Sequence, residues 1–342
     1  MLISLLQKQI PFIDVRAPIE FSKGALPTST NLPILFDDER ELVGKIYKEL
    51  GGQSATELGH SLVKEQVKEE RIEGWIAFIE NNPLAYLYCA RGGQRSEIAQ
   101  HWISDRGIDV PRIEGGFKSL RNTCLNILDE AAQDRKEWII IAGKTGSNKT
   151  GLVSKLINGI DLEMHANHRG SAFGGFQTPQ PSPIDFENRL ACNYLKISSN
   201  TIMLEDESRA IGKLVIPEKF YHKMINSKIV IIDQPLDLRV NHIYNEYVIN
   251  ALENQTSINL CNKIKDQLLK ISKRLGIDNY KKIDKQISIA FQKNSEDQHH
   301  NWIRQLLQNY YDKMYDYQLE KKTARCIYKG TWNDIEAFLT AY

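Results

Sequence analysis

The chain has 342 residues, 42% hydrophobic and 25% charged, with a net charge of +1. Such a length accommodates roughly two domains, each able to bury a core. No apolar run approaches the ~20 residues of a membrane span, and the near-neutral balance excludes a bulk polycation. The five cysteines (Cys89, Cys124, Cys192, Cys261, Cys326) are odd in number and scattered, with no CxxC pair. That supports neither a disulfide framework nor a cysteine zinc site, and fits a reducing, cytoplasmic setting.

In chain order, MLISLLQKQIPFIDV lacks a basic region and a small-residue cleavage site, so it reads as the start of a folded domain. PFIDV (11–15) is a strand. LAYLY (84–88) is a second, running into a glycine-rich loop and then the helix-like EIAQHWI. AAQDRKE (131–137) is polar and marks a boundary. WIIIAG (138–143) is a strand leading into KTGSNKT, with GLVSKLI as the helix behind it. TIMLED (201–206) and KIVIID (228–233) are further strands. Strand, glycine loop and helix in that order specify an α/β fold. Beyond residue 240 the apolar residues recur at helical spacing. Asn82-Pro83, Gly276 and NSEDQHH (294–300) read as turns. The expected division is a first α/β domain over 1–130, a parallel-sheet domain over 136–240 and a mostly helical region over 241–342.

YCARGGQRSE (88–97) carries the first chemistry. A reactive cysteine must ionise, and a free thiol titrates near ~8.5. A loop of backbone N–H groups feeding a helix N-terminus lowers that value, and glycines let the loop curl so that its amides point inward. Arg91, Gly92, Gly93, Gln94, Arg95 and Ser96 thus form an anion cradle around Cys89, with the two arginines adding positive charge. The Cys89-to-Arg95 spacing, C-x5-R, is also that of cysteine-dependent phosphatases. Tyr88 stands where tyrosine phosphatases usually carry His.

GKTGSNKTGL (143–152) resembles a phosphate-binding Walker A loop. Gly143, Lys149 and Thr150 fit; Asn148 replaces the last glycine, and Asn tolerates left-handed backbone angles. The amides from Gly146 through Ser147 and Asn148 to Thr150 are expected to wrap a diphosphate. Lys149 neutralises it, and Thr150 holds Mg²⁺. Glu205, Asp206 and Glu207 in TIMLEDESR are the metal or base candidates, with Asp233 of KIVIID as an alternative. In DLEMHANHRGSAFGG (161–175) two histidines lie three apart, but no third ligand is spaced for zinc. His168, Arg169, Gly170 and Ser171 read as an anion- or base-binding loop.

Residues 263–285 hold eight Lys/Arg and three Asp, a local net of +5. Lys263, Lys270, Lys273 and Arg274 can share one helix face. That run is either a solvated face or a docking surface for a phosphate-rich partner.

FIDVRAPIEFSKGALPTSTNLP (12–33) is similar to the N-terminal signature of rhodanese domains, whose chemistry implies sulfur or selenium transfer through an adduct on Cys89. The further motifs Cys-x-Arg-Gly-Gly-x-Arg-Ser, Gly-x-Thr-Gly-x-x-Lys-Thr, Ala-x-His-Arg-Gly-Ser-x-Phe-Gly and Glu-Asp-Glu-Ser-Arg-x-Ile-Gly follow in order. Over residues 10–235 the chain resembles the bacterial tRNA 2-selenouridine synthases. ERELVGKIYKELGGQSATELG (39–59) resembles that family's insertion, whereas Ala90 and Asn148 depart from its pattern. The resemblance implies a rhodanese-like domain followed by a P-loop NTPase-like domain with a helical C-terminal extension. It implies a transferase acting on the anticodon stem-loop of tRNA. Geranyl diphosphate and selenophosphate are its co-substrates, no cofactor is tightly bound beyond Mg²⁺, and a selenophosphate-supplying enzyme is an implied partner. Two other classes remain open at this stage: a cysteine phosphatase or plain sulfurtransferase, which needs no RNA surface, and a non-enzymatic P-loop scaffold, which would tolerate loss of Cys89.

Overall fold

A computed structural model of the protein describes residues 1–176 and 178–342. The chain divides into two units, residues 1–133 with 181–196 and residues 134–180 with 197–342.

In the first unit, β1 (Phe12–Asp14), β2 (Ser29–Asn31) and β3 (Tyr86–Tyr88) form a parallel sheet in the order β2-β1-β3. Phe12, Ile13 and Leu87 are wholly buried, as parallel strands covered by helices require. Trp75 and Trp102 stack at 6.2 Å in the core, and the Trp75 indole N–H donates to the Leu32 carbonyl at 2.9 Å. Burying side chains of this size contributes about 1.5–3 kcal/mol each. Residues 39–59 fall in a long helical run, Asp37–Leu62, which breaks at Gly51 where φ is 86°.

The helix Pro183–Lys196 belongs to this unit, although the sequence places it inside the 136–240 segment. Its buried face includes Phe186, Leu190 and Ala191. Asn188 accepts from the Arg121 guanidinium and donates to the Ala25 carbonyl, both at 2.8 Å. Helical periodicity announces a buried face but not which neighbour covers it.

The second unit begins with β4 (Glu137–Gly143), β5 (Gly159–Ile160) and β6 (Thr201–Glu205). A small antiparallel pair follows, β7 (Ala210–Ile211) and β8 (Leu214–Val215), then β9 (Lys228–Ile232) and β10 (Cys326–Gly330). The five long-range strands make a parallel sheet in the order β10-β9-β4-β6-β5. β4 lies at its centre, with Ile139 and Ile141 fully buried.

The region after residue 240 is mostly helical, as expected, but it also supplies edge strand β10. CIYKG is too short and too polar to show a strand period. The closing helix Trp332–Ala341 packs Ile335 and Leu339 against Ile139, Ile141 and Val230. In the helix Ser257–Leu275, Leu260, Ile264, Leu268, Ile271 and Leu275 recur every three to four residues and meet Ile283, Ile287, Trp302 and Ile303. NSEDQHH is a turn only at its start. Asn294, at φ 46°, stops the helix Ile277–Lys293; Ser295 then caps the helix Glu296–Leu306 by accepting from the Gln298 N–H. Two π-helical turns, Asn245–Ile249 and Leu307–Tyr311, interrupt the helical run. Among the described residues no helix is long and apolar enough to cross a membrane.

Candidate functional sites: a thiol loop and a phosphate loop

Cys89 directly follows β3 and is 4% exposed. Its Sγ lies 3.3 Å from Ser96 Oγ and 3.6 Å from the Gly93 carbonyl. The helix Gln94–Ser104 starts at Gly93, so its first N–H groups face the sulfur. Burial pushes the thiol up. The Ser96 hydroxyl, the Arg91 and Ser96 N–H groups and the charge of Arg95 outweigh it, and the thiol ends below its ordinary value.

The residues expected to form a cradle contribute unequally around the sulfur. Arg91 is exposed and acts through its backbone N–H. Gln94 is also exposed, its side-chain oxygen 3.5 Å from the Thr56 hydroxyl. Arg95 does not stand as a free cation, because both its terminal nitrogens bind Glu20, at 2.5 and 3.1 Å. Glu20 belongs to the DVRAPIEF stretch, where sequence reading quoted it without a partner. The same stretch supplies the buried pair of Arg16 and Asp14, at 2.6–3.0 Å, with the Arg16 guanidinium 3.8 Å from the Phe117 ring centroid.

Gly115 and Gly116, which sequence reading missed, close the loop from below. Gly116 sits at φ 57°, and a Cβ on it would come within 2.2 Å of the Cys89 carbonyl. Gly92, at φ 67°, also approaches closely, a Cβ on it lying 2.8 Å from the Gly115 nitrogen. The Phe117 and Lys118 N–H groups then donate to the Cys89 and Ala90 carbonyls at 2.8 and 3.0 Å. The Gly-Gly dipeptide in EGGF (114–117) is the available signal.

In the second unit, β4 runs through Gly143 into a loop that ends at Asn148, the N-cap of the helix Lys149–Lys155. Asn148 adopts φ 58° and ψ 44°, the left-handed conformation a glycine would take there. Gly146 is at φ 82°, and a Cβ on Gly143 would lie 2.6 Å from Ser147 Oγ. Ser147 is buried with its hydroxyl unpartnered. Lys149 Nζ donates to the Gly143 carbonyl at 3.1 Å. Burial pulls its pKa down, but Tyr315, Glu207, Glu163 and Asp206 raise it above the ordinary lysine value.

Three carboxylates cluster beside Thr150, two of them reaching its hydroxyl. Glu163, Glu205 and Glu207 offer oxygens all within 4.8 Å of one another. The Thr150 hydroxyl lies 2.8 Å from Glu163 Oε2 and 3.4 Å from Glu205 Oε2, whereas Glu205 Oε1 is buried with no hydrogen-bond partner. Burial first, then mutual repulsion, holds Glu205 well above the carboxylate range. The same causes push Glu207 up to about 8, against the pull of Lys149. An orphaned carboxylate oxygen among crowded acids and a hydroxyl is the hard-oxygen donor set that Mg²⁺ takes, so the residues fit that ion. Glu163, thirteen residues past Thr150, carried no sequence signal.

Other expected residues are distributed differently. Asp206 binds Lys322 at 2.5 Å, and Asp233, exposed just past β9, binds Lys329 at 2.8 Å; neither joins the three-acid cluster. Arg169, Gly170 and Ser171 line the 250 Å³ pocket over the phosphate loop; His168 does not. Its N–H donates to the Glu163 carbonyl at 3.0 Å, it bridges Gly175, and burial lowers its pKa. Arg169 instead pairs with Glu246 at 2.5 Å and covers the rings of Phe176 and Tyr247. Glu246 and Tyr247 belong to the first π-helical turn, which no sequence pattern disclosed. Of the basic run, Lys270, Lys273 and Arg274 line a separate 800 Å³ cleft. Lys263, two turns earlier, lies outside it in a half-buried position, and burial together with the Arg169 charge lowers its pKa.

The family model for the tRNA 2-selenouridine synthase AAA domain matches residues 136–342, and the rhodanese-like domain model matches residues 2–123. The chain belongs to the tRNA 2-selenouridine synthase family. It is 41% identical to the tRNA 2-selenouridine synthase of Shewanella woodyi, covering 97% of this chain and 94% of that protein. It is 42% identical to that of Shewanella frigidimarina (98% and 95%) and 41% identical to that of Salmonella schwarzengrund (99% and 98%). The first unit is therefore built on a rhodanese-like domain and the second on a P-loop AAA domain with a parallel sheet and a largely helical C-terminal part. Membership makes the chain an enzyme and sets aside the phosphatase and scaffold readings.

Proposed function

We propose that the enzyme converts 2-thiouridine at the tRNA wobble position to 2-selenouridine through an S-geranyl intermediate. In the first step the uridine sulfur attacks C1 of geranyl diphosphate. The C–O bond breaks, diphosphate departs with the electron pair, and the uridine loses its N3 proton. In the second step the selenium of selenophosphate adds at C2 and geranylthiol leaves. Water then cleaves the Se–P bond, giving phosphate and 2-selenouridine.

The phosphate loop supports the first step. The loop amides and Lys149 suit a diphosphate that becomes a leaving group. Thr150 with Glu163, Glu205 and Glu207 would hold Mg²⁺, which would add charge neutralisation on the same group. A small apolar recess bordered by Phe173, Ile264, Trp302 and Leu306 opens beside Thr145, Ser171, Ile243 and Tyr247, which also line the phosphate pocket. The thiol loop supports the second step. Cys89 is assigned the selenium-handling role, and the N–H groups around it suit a tetrahedral selenophosphate. Lys270, Lys273 and Arg274 are assigned to the RNA phosphates.

The observation that carries this reading is the depressed Cys89 thiol and the phosphate loop with its acid cluster occurring in one chain of this family. The test is nucleoside mass spectrometry of thiolated tRNA incubated with the protein, geranyl diphosphate and selenophosphate. Geranylated uridine should appear with the first co-substrate alone and selenouridine with both. Absence of both products overturns the reading.

A further inference from the structure

The second unit holds an 800 Å³ cleft, most of whose lining lies outside the phosphate-loop pocket. Six cations line it against two acids, Asp206 and Glu207, in a chain whose overall charge is +1. Lys270, Lys273 and Arg274 come from the helix Ser257–Leu275. Lys321, Lys322 and Arg325 come from the segment after the helix Asp312–Glu320. Among the described residues no ion pair or hydrogen bond engages Lys270, Lys273 or Arg274, whereas Lys265 on the same helix is tied to Asp284 and Ser288. Asp206 is neutralised by Lys322, so one of the two acids offers little repulsion to an entering phosphate.

Tyrosines also line the cleft. Tyr310 and Tyr311, in edge-to-face contact at 4.9 Å, sit in the second π-helical turn, and Tyr315 follows one turn later. A π-helical turn rotates the residues after it relative to an α-helix, and such turns recur at functional sites. Unpaired RNA bases are held by stacking on aromatic side chains while lysines and arginines track the backbone. An A-form duplex cannot enter a pocket of this size. At one end the cleft shares Gly170, Ser171, Glu207 and Tyr315 with the phosphate-loop pocket, so both open onto the same residues.

We propose that this cleft takes unpaired nucleotides of the tRNA anticodon loop. Lys270, Lys273 and Arg274 hold the phosphates, and Tyr310 and Tyr315 stack the bases. The target base is delivered at the end bounded by Ser171 and Glu207, against the diphosphate site. This rests on the tRNA reading above and adds where the loop binds and in what state.

The test is fluorescence anisotropy with a synthetic anticodon stem-loop carrying 2-thiouridine, compared with a loop-free duplex of equal length, across a salt series. The full-length protein should prefer the stem-loop. Tyr310→Ala should weaken stem-loop binding about tenfold with little change in salt slope, and Tyr310→Phe should restore it. The pair Lys273→Glu and Arg274→Glu should weaken binding and flatten the slope. Melting curves matching wild type exclude misfolding as the cause. Wild-type binding with neither variant impaired, or equal affinity for the duplex, overturns the cleft assignment. No RNA binding by the wild-type protein would instead overturn the tRNA reading beneath it.

Discussion

Arg95 and Glu20 form a two-point ion pair, Nη1 to Oε2 at 2.5 Å and Nη2 to Oε1 at 3.1 Å. The pair joins the helix that follows the thiol loop to the short helix Pro18–Phe21. Both side chains are largely buried. Burial pushes the Glu20 carboxyl up, but the Arg95 bonds and charge outweigh it and hold it below 4.5. A carboxyl lowered on folding stabilises the protein above its unfolded pKa and loses that contribution as pH falls through the folded value. Glu20→Gln should therefore cost about 1–3 kcal/mol near neutral pH. Urea unfolding across pH should show the gap between variant and wild type closing below pH 4.5. A gap independent of pH would mean the pair is not the cause.

Cys89 should ionise at a lower pH than an ordinary thiol. The pH profile of its alkylation by iodoacetamide reads this directly. Ser96→Ala removes a hydrogen bond that favours the thiolate, so the midpoint should move up and the neutral-pH rate should fall. Cys89→Ser should abolish selenouridine while leaving S-geranyl-2-thiouridine intact. Selenouridine formed at the wild-type rate by the Ser variant would end the assignment of Cys89.

Lys149→Ala and Thr150→Ala should each lower S-geranyl nucleoside yield, by about 10²-fold if each stabilises the departing diphosphate as an electrostatic group does. Selenation of tRNA that is already geranylated should survive in both. Equal loss of the two activities would point to a folding defect, and unchanged geranylation would move the prenyl site elsewhere.

Gly116→Ala probes the floor of the thiol loop. At φ 57° the new Cβ would lie 2.2 Å from the Cys89 carbonyl, which is a backbone atom and cannot swing away. The expected result is a destabilisation of more than about 1 kcal/mol, with loss of selenation. Gly107→Ala serves as the comparison: it also has positive φ, at 78°, but its Cβ would meet nothing within 4 Å. If the two variants melt alike, backbone strain rather than contact with the thiol loop sets the cost.

Local features were legible because they are written in neighbouring residues. The Ile-rich run before Gly143, the glycines after Cys89 and the left-handed tolerance of Asn148 each act within a few positions, so strand, loop and helix onset could be read directly. Chain order likewise placed Lys149 and Thr150 at the start of a helix behind a buried strand.

Tertiary structure decided everything that depends on which distant residues meet. Glu20 against Arg95, and Glu163 beside Thr150 and Glu205, are encounters across the fold, and no period or motif encodes them. The helix Pro183–Lys196 leaves its sequence neighbours to pack in the first unit, and CIYKG returns after a long helical excursion to extend the second unit's sheet. Lys263 and Lys270 are equivalent by helical spacing, yet two turns of rise place one near Arg169 and the other on the cleft wall. Spacing along a helix sets the direction in which a side chain points; what it faces is set by the element packed opposite.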